Sequence, residues 1–241
     1  MSAPARTGPW TVLMVCTGNL CRSPLAQYLA AAYFPARRGS PVAAGVTQQL
    51  AITSAGVHAR AGDPMHRHSV ALLRARGLDP TGFHSQRLTP ELVERSDLVL
   101  CATREHRSAV VTQCPRALRR TFTLREFARL TSAVRPGDLP IGPVRPAGEL
   151  LVAAALRARA TGRIVPAELD DLTDPIGEGR PRFEACASMI DDALTGPMSL
   201  LAHACQVWRT GPMPESAGRV PRQGEGGDRA PRVSRHGAEV G

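Results

Sequence analysis

Residues 15–26 read VCTGNLCRSPLA and continue the apolar run WTVLMV at 10–15. A short apolar run with β-branched members reads as a buried strand. TGN breaks it, and Ser23-Pro24 opens a helix, with serine as the N-cap and proline at the first helical position. Leu25, Tyr28, Leu29 and Ala32 give that helix an apolar face. Cys16 therefore stands where a strand gives way to a loop, with Arg22 closing the loop.

Outward from this point the alternation repeats. Further strands are expected at 49–56, 96–102 and 120–124. Helices are expected at 64–77, 89–95, 104–114, 125–134, 149–161 and 182–208, the last with Gly196-Pro197 as a break or kink. Residues 35–46 read as a loop, 135–148 as a second one because of its four prolines, and 162–181 as a long connection. Strands alternating with helices imply an α/β fold, a parallel sheet covered on both faces. Ligands bind such sheets beyond the carboxyl ends of the strands, and Cys16 lies there. One domain is expected over 10–208. Residues 209–241, rich in Gly, Pro, Arg and Glu, read as a disordered tail.

Composition narrows the function classes. The chain has 241 residues, 43% hydrophobic but only 4% aromatic, so the core must rest on Leu, Val and Ala. The net charge is +9 and every basic residue is Arg, since there is no Lys. The arginines are scattered, and no nucleic-acid-binding signature is present, so no nucleic-acid partner is expected. The six cysteines do not form a disulfide framework. MSAPARTGPW lacks the layout of a signal peptide, and no segment has the length of a membrane span. The expectation is a soluble, reduced, cytoplasmic protein with no membrane partner. Oligomeric state is not legible.

Cys-x5-Arg-[Ser/Thr] is a phosphate-handling pattern, and it occurs three times: CTGNLCRS from Cys16, CATREHRS from Cys101 and CPRALRRT from Cys114. In so arginine-rich a chain, chance supplies about one Cys-x5-Arg match, so physical fitness must separate the copies. A phosphate cradle turns successive backbone N–H groups inward and needs residues that tolerate positive φ. Gly18 and Asn19 are such types. A following helix N-terminus adds a favourable dipole. The Cys101 copy has no glycine and places Glu105 in the cradle. The Cys114 copy begins at a helix end and puts Pro115, which has no N–H, where a donor is needed. Cys16 is the copy fitted for chemistry.

At that site a thiolate would attack phosphorus in line, favoured by the helix N-terminus and the arginine. The planar fork of Arg22 suits two equatorial phosphoryl oxygens. Thr17, Gly18, Asn19, Leu20, Cys21 and Ser23 are the expected phosphate-binding residues, with the Ser23 hydroxyl donating to the thiolate. Cys21 lies in the same loop as Cys16, so oxidation could join the two reversibly. Zinc is the competing use of two cysteines four residues apart, but no second ligand pair follows, and no metal or other cofactor is expected.

VCTGNLCRSPLA closely resembles the opening of the low molecular weight protein tyrosine phosphatases. ITSAGVHARAGDPMHRHSVALLRARGL, SDLVLCATREHRSAVVTQCP and TDPIGEG extend the resemblance over roughly 10–205. It implies a four-stranded parallel sheet with helices on both faces, a flavodoxin-like three-layer fold. It implies hydrolysis of phosphotyrosine in protein substrates through a phosphocysteine, without metal. By position, Cys16 is then the nucleophile, Arg22 the transition-state binder and Asp174 the general acid. The chemistry needs such an acid for the leaving phenolate, but the residues alone leave Asp170, Asp171 and Asp174 open. Ile176-Gly177 follow Asp174-Pro175 where many family members have aromatic residues, and 135–163 is longer than usual.

Two other readings compete. One is a thioredoxin-coupled arsenate reductase, which would need a relay of further cysteines such as Cys101 and Cys114. The other is a phosphate-binding regulatory protein without turnover, which a missing nucleophile, arginine or acid would have favoured.

Overall fold

A computed structural model describes residues 8–34, 49–162 and 165–210. The four expected strands are present: β1 (Trp10–Cys16), β2 (Leu50–Gly56), β3 (Leu98–Cys101) and β4 (Thr121–Thr123). The sheet is parallel throughout, in the order β2-β1-β3-β4. Both faces of β1 are covered, and its side chains alternate between two cores. Trp10, Val12, Met14 and Cys16 enter one, while Leu13 and Val15 enter the other.

The helices are α1 (Arg22–Ala31), α2 (Arg67–Ala75), α3 (Pro90–Arg95), α4 (Arg104–Gln113), α5 (Leu124–Thr131), α6 (Val144–Thr161), α7 (Ala167–Asp170) and α8 (Arg180–Thr210). The larger core packs α1, α5, α6 and α8 on the first face. The smaller one packs α3 and α4 on the second. The expected three-layer arrangement is therefore present.

Three expectations need correction. The four-proline segment 135–148 is not loop to its end, because α6 begins at Val144 and takes Pro146 into its first turn. The missing N–H of a proline costs nothing there. The helix is then fixed at both ends. Gly148 lies so close to Trp10 that a Cβ would meet the indole at 2.4 Å. Arg159 stacks on Phe122, 3.9 Å from the ring centroid, and pairs with Glu126 at 2.9 Å. Second, the connection 162–181 contains the short helix α7. Third, α8 runs unbroken through Gly196-Pro197 and extends to Thr210. The expected loop at 35–46 and the expected tail beyond Thr210 lie outside the described residues.

The register places the site. β1 lies between β2 and β3, so the chain leaves it on one side and returns on the other. Cys16 is level with Gly56 of β2, Val15 with Cys101 of β3, and Cys101 with Thr123 of β4. The crevice beyond these ends is where such sheets hold ligands.

Candidate active site

The loop from Cys16 to Arg22 is shaped chiefly by one buried side chain. Asn19 is 0% exposed and has φ of 55°, the one positive φ at a non-glycine residue among those described. Its Nδ2 donates to the Ser23 and Ser54 hydroxyls, both at 2.9 Å, and its Oδ1 accepts from the Gln86 backbone N–H at 2.9 Å. Asparagine bears the left-handed conformation better than most residues, and the three hydrogen bonds hold it there. Gly18 does not share the role expected of it. It has no positive φ, and a Cβ there would meet only the Leu20 side chain at 3.6 Å.

The close glycine is instead Gly56, at the end of β2. A Cβ on it would lie 2.5 Å from the Thr17 carbonyl oxygen and 2.7 Å from the Asn19 nitrogen. The loop backbone thus rests directly on the next strand. Val57 and His58 donate their N–H groups to the Cys16 and Thr17 carbonyls at 2.9 Å, and His66 donates to Leu20 at 3.0 Å. With these carbonyls engaged on the outside, the loop's N–H groups are free to face inward.

Ser23 is not the N-cap. α1 begins at Arg22, two residues earlier than expected, Cys21 occupies the cap position, and no side chain caps the helix. The Ser23 hydroxyl serves Cys16 instead. Its Oγ lies 3.0 Å from Cys16 Sγ, with the Ala55 carbonyl at 3.3 Å as its other neighbour. Oγ accepts from Asn19, and its single proton can turn to the Ala55 carbonyl or to the sulfur. An uncapped N-terminus leaves backbone donors for an anion in the loop.

Arg22 is buried. Its guanidinium donates through Nη2 to Thr17 Oγ1 at 3.1 Å and to Asp174 Oδ2 at 2.5 Å, and through Nη1 to the Leu172 carbonyl at 3.5 Å. Asp174 is 46% exposed on its side chain, so it faces both the arginine and the solvent. Its Oδ1 accepts from the Ile176 N–H at 3.2 Å.

The three aspartates that sequence left open have different neighbours. Asp170 is buried and paired with Arg129 at 2.9 Å, while its carbonyl accepts from Thr123 at 2.7 Å. Asp171 accepts from the Arg104 N–H at 2.8 Å, at the start of α4. Leu172 donates to the Ala102 carbonyl at 2.8 Å. These anchors tie the segment to the strand ends, and only Asp174 among the three meets Arg22.

His106 was not anticipated. It belongs to the second Cys-x5-Arg copy, CATREHRS, whose likeness to the first had no structural meaning. The imidazole is buried, with Nε2 2.8 Å from Thr17 Oγ1 and Nδ1 2.7 Å from Thr103 Oγ1. Burial and the nearby Arg22 charge push its pKa down to about 4, so it is neutral at ordinary pH. The faint signal was Thr-x-x-His after a strand, a threonine cap followed by a ring in the first helical turn.

The other cysteines are buried thiols. Burial and the neighbouring Cys16 push Cys21 up to about 12, and burial pushes Cys186 up to about 12. Cys101 is 0% exposed and raised by burial. Cys101 and Cys114 belong to the core on the opposite face of the sheet from Cys16. That placement sets both away from the face that Cys16 enters, and the reductase reading is not favoured. Among the described residues no three His, Cys, Asp or Glu side chains come together as a metal site.

The family model described as low molecular weight phosphotyrosine protein phosphatase matches residues 11–137. A protein-arginine-phosphatase of Geobacillus stearothermophilus is 34% identical over 119 residues, 49% of this chain and 72% of that protein. EpsP of Ralstonia nicotianae, a probable low molecular weight protein-tyrosine-phosphatase, is 30% identical over 123 residues, 51% of this chain and 76% of its own length. The solved YwlE arginine phosphatase from Geobacillus stearothermophilus superposes with a TM-score of 0.54 at 23% identity, over 83% of this chain and 94% of that one.

Proposed function

The chain belongs to the low molecular weight phosphotyrosine protein phosphatase family, and from that we propose that it hydrolyses phosphotyrosine in protein substrates, with Cys16, Arg22 and Asp174 as its catalytic residues. It is a cysteine-dependent phosphatase. The observation that carries the assignment of residues is the meeting of Asp174 with Arg22 beside the loop that begins at Cys16.

The steps follow from the chemistry of these groups. The Cys16 thiolate attacks phosphorus, forming an S–P bond as the P–O bond to the tyrosine breaks. Arg22 and the inward N–H groups of Thr17, Gly18, Asn19, Leu20 and Cys21 hold the three equatorial oxygens as charge redistributes over them. Protonated Asp174 gives its proton to the departing phenolate oxygen. The same carboxylate then takes a proton from water, which attacks the phosphocysteine and releases phosphate. Ser23, 3.0 Å from the sulfur, stabilises the thiolate both as it attacks and as it leaves.

The domain is proposed to run from residue 10 to the end of α8 at Thr210, two residues past the expected boundary. No described helix is long and apolar enough to cross a membrane, and a reducing cytoplasm is the compartment that would keep Cys16 a free thiol.

A second substrate is favoured by one observation, the 34% identity to a protein named as an arginine phosphatase. Phosphoarginine presents the same dianionic phosphoryl group on a leaving nitrogen that also needs a proton. Hydrolysis of a phosphotyrosine peptide and a phosphoarginine peptide of the same sequence, by wild type and Cys16→Ser, decides between them. A higher kcat/KM for phosphotyrosine, abolished in the serine variant, is expected. Preference for phosphoarginine would install the second reading, and turnover of neither would remove both.

A further inference from the structure

We propose that His106 is a positioning residue for phosphoryl transfer, acting through Thr17 to hold the Arg22 guanidinium in its working plane. The proposal rests on the phosphatase reading above.

The geometry forms a chain from the end of β3 to the phosphate loop. Thr103 Oγ1, His106 Nδ1, His106 Nε2, Thr17 Oγ1 and Arg22 Nη2 follow one another across contacts of 2.7, 2.8 and 3.1 Å. The ring is not needed to cap α4, because that bond is made by the His106 backbone N–H to Thr103 Oγ1 at 3.3 Å. The side chain is free to bridge between elements, and both of its nitrogens do so.

Proton accounting fixes what the bridge does. A guanidinium only donates, so Thr17 Oγ1 accepts from Arg22. A neutral imidazole has one donor and one acceptor. If Nε2 accepts, the Thr17 hydroxyl donates to it and Nδ1–H donates to Thr103. If Nε2 carries the hydrogen, Thr17 accepts from it and Thr103 donates to Nδ1. Both ring nitrogens are satisfied in both arrangements, and in both the Thr17 oxygen is pinned beside Arg22.

The pin matters once substrate enters. Arg22 has three acceptors, and Asp174 is the one that must release it, because a phosphoryl group and a proton-donating Asp174 replace the ion pair. What remains is the Leu172 carbonyl at 3.5 Å and Thr17 at 3.1 Å. Thr17 is the closer, and without the ring this half-buried threonine would be free to rotate its hydroxyl away. His106 removes that freedom. Such positioning acts on the transition state, where the guanidinium must meet oxygens in one plane, more than on ground-state binding.

The test uses the full chain with an aryl phosphate. His106→Phe keeps the ring's bulk and removes both hydrogen bonds. It is expected to lower kcat about tenfold with KM changed less than about twofold. His106→Gln, which can again reach Thr17, should recover most of the loss. Thr17→Val should lose about as much as His106→Phe, and the double variant no more than either, because one acts through the other. Binding supplies a readout independent of turnover. His106→Phe should weaken vanadate, which adopts the trigonal-bipyramidal geometry, about tenfold while leaving inorganic phosphate within about twofold. Additive losses, no rescue by glutamine, equal weakening of both anions, or a Thr17→Val variant with normal kcat would each overturn the proposal. If His106→Phe does not fold, Thr17→Val and His106→Gln still decide. If wild type hydrolyses no phosphate ester, the phosphatase reading fails, and the comparison of the two anions still judges His106.

Discussion

Asp174 and Arg22, 152 residues apart in the chain, share a hydrogen-bonded ion pair at the mouth of the phosphate loop. The proposed acid and the proposed transition-state arginine thus neutralise one another until substrate separates them. Asp174→Asn should therefore have two opposite effects. Turnover of phenyl phosphate should fall by about 10²–10⁴, with a smaller loss for p-nitrophenyl phosphate, whose leaving group needs no proton. Inorganic phosphate should bind more tightly, because Arg22 loses its competitor. Equal losses on the two esters would remove Asp174 as the acid.

The neighbouring aspartates should respond differently. Asp170 is buried against Arg129 but touches nothing in the loop. Arg129 is about a third exposed, so solvent screening discounts the pair to about 1–3 kcal/mol. Asp170→Asn should lower the unfolding midpoint and leave kcat at the permissive temperature near wild type. A kcat loss matching that of Asp174→Asn would show that the two act as one unit.

Asn19 lends itself to a two-variant comparison. Glycine keeps the left-handed backbone and loses the three side-chain hydrogen bonds, whereas alanine loses both. The left-handed conformation costs an L-residue about 1–2 kcal/mol, so Asn19→Ala should be less stable than Asn19→Gly by about that amount in urea unfolding. Equal stabilities would mean that the loop changes its backbone path when the amide is gone. Gly56→Ala should be worse than either for phosphate binding, since its Cβ strikes loop backbone rather than a movable side chain.

His106 gives the fold a pH dependence of known sign. Its pKa falls from the usual 6.5 to about 4 in the folded chain. The unfolded chain therefore takes up a proton first as pH falls. Stability is complete above about pH 6.5 and declines as pH falls through about 4, by up to about 3 kcal/mol. Urea unfolding of wild type and His106→Gln between pH 4 and 7 checks it: the wild type should lose more stability on acidification. Parallel curves would show that the ring carries no such burden.

Cys21, held at about 12, is a reluctant partner for oxidised Cys16. Only about one in 10⁴ such thiols is ionised at pH 8, so after mild peroxide the yield of a Cys16–Cys21 disulfide should rise with pH. Mass spectrometry would read it, and a yield independent of pH would show that attack does not require the thiolate.

Much of this was written locally. The strand, Asn19, the helix start and the spacing of Cys16 from Arg22 all lie within a dozen residues, where periodicity and turn chemistry suffice. Even there, two roles were misplaced. Ser23 looked like a cap because serine usually is one, but a sulfur 3.0 Å away claims its hydroxyl. Gly18 looked like the flexible residue, but the steric demand falls on Gly56, at the end of a different strand. In the sequence, likeness to a family is what singles out Asp174, since what separates it from Asp170 and Asp171 is chiefly what each touches after folding. His106 lay hidden for the same reason. Nothing in a local pattern says that its ring will meet a threonine 89 positions earlier.

The long interval between Arg22 and Asp174 also bears on how the enzyme is made. The ribosome delivers Cys16 and the loop to Arg22 first and Asp174 some 150 residues later, and α8, whose Phe183, Cys186 and Ile190 complete the core containing Cys16, later still. A chain stopped before Arg180 lacks the helix that seals that core. The proposed site is therefore assembled only once nearly all of the described chain has been made.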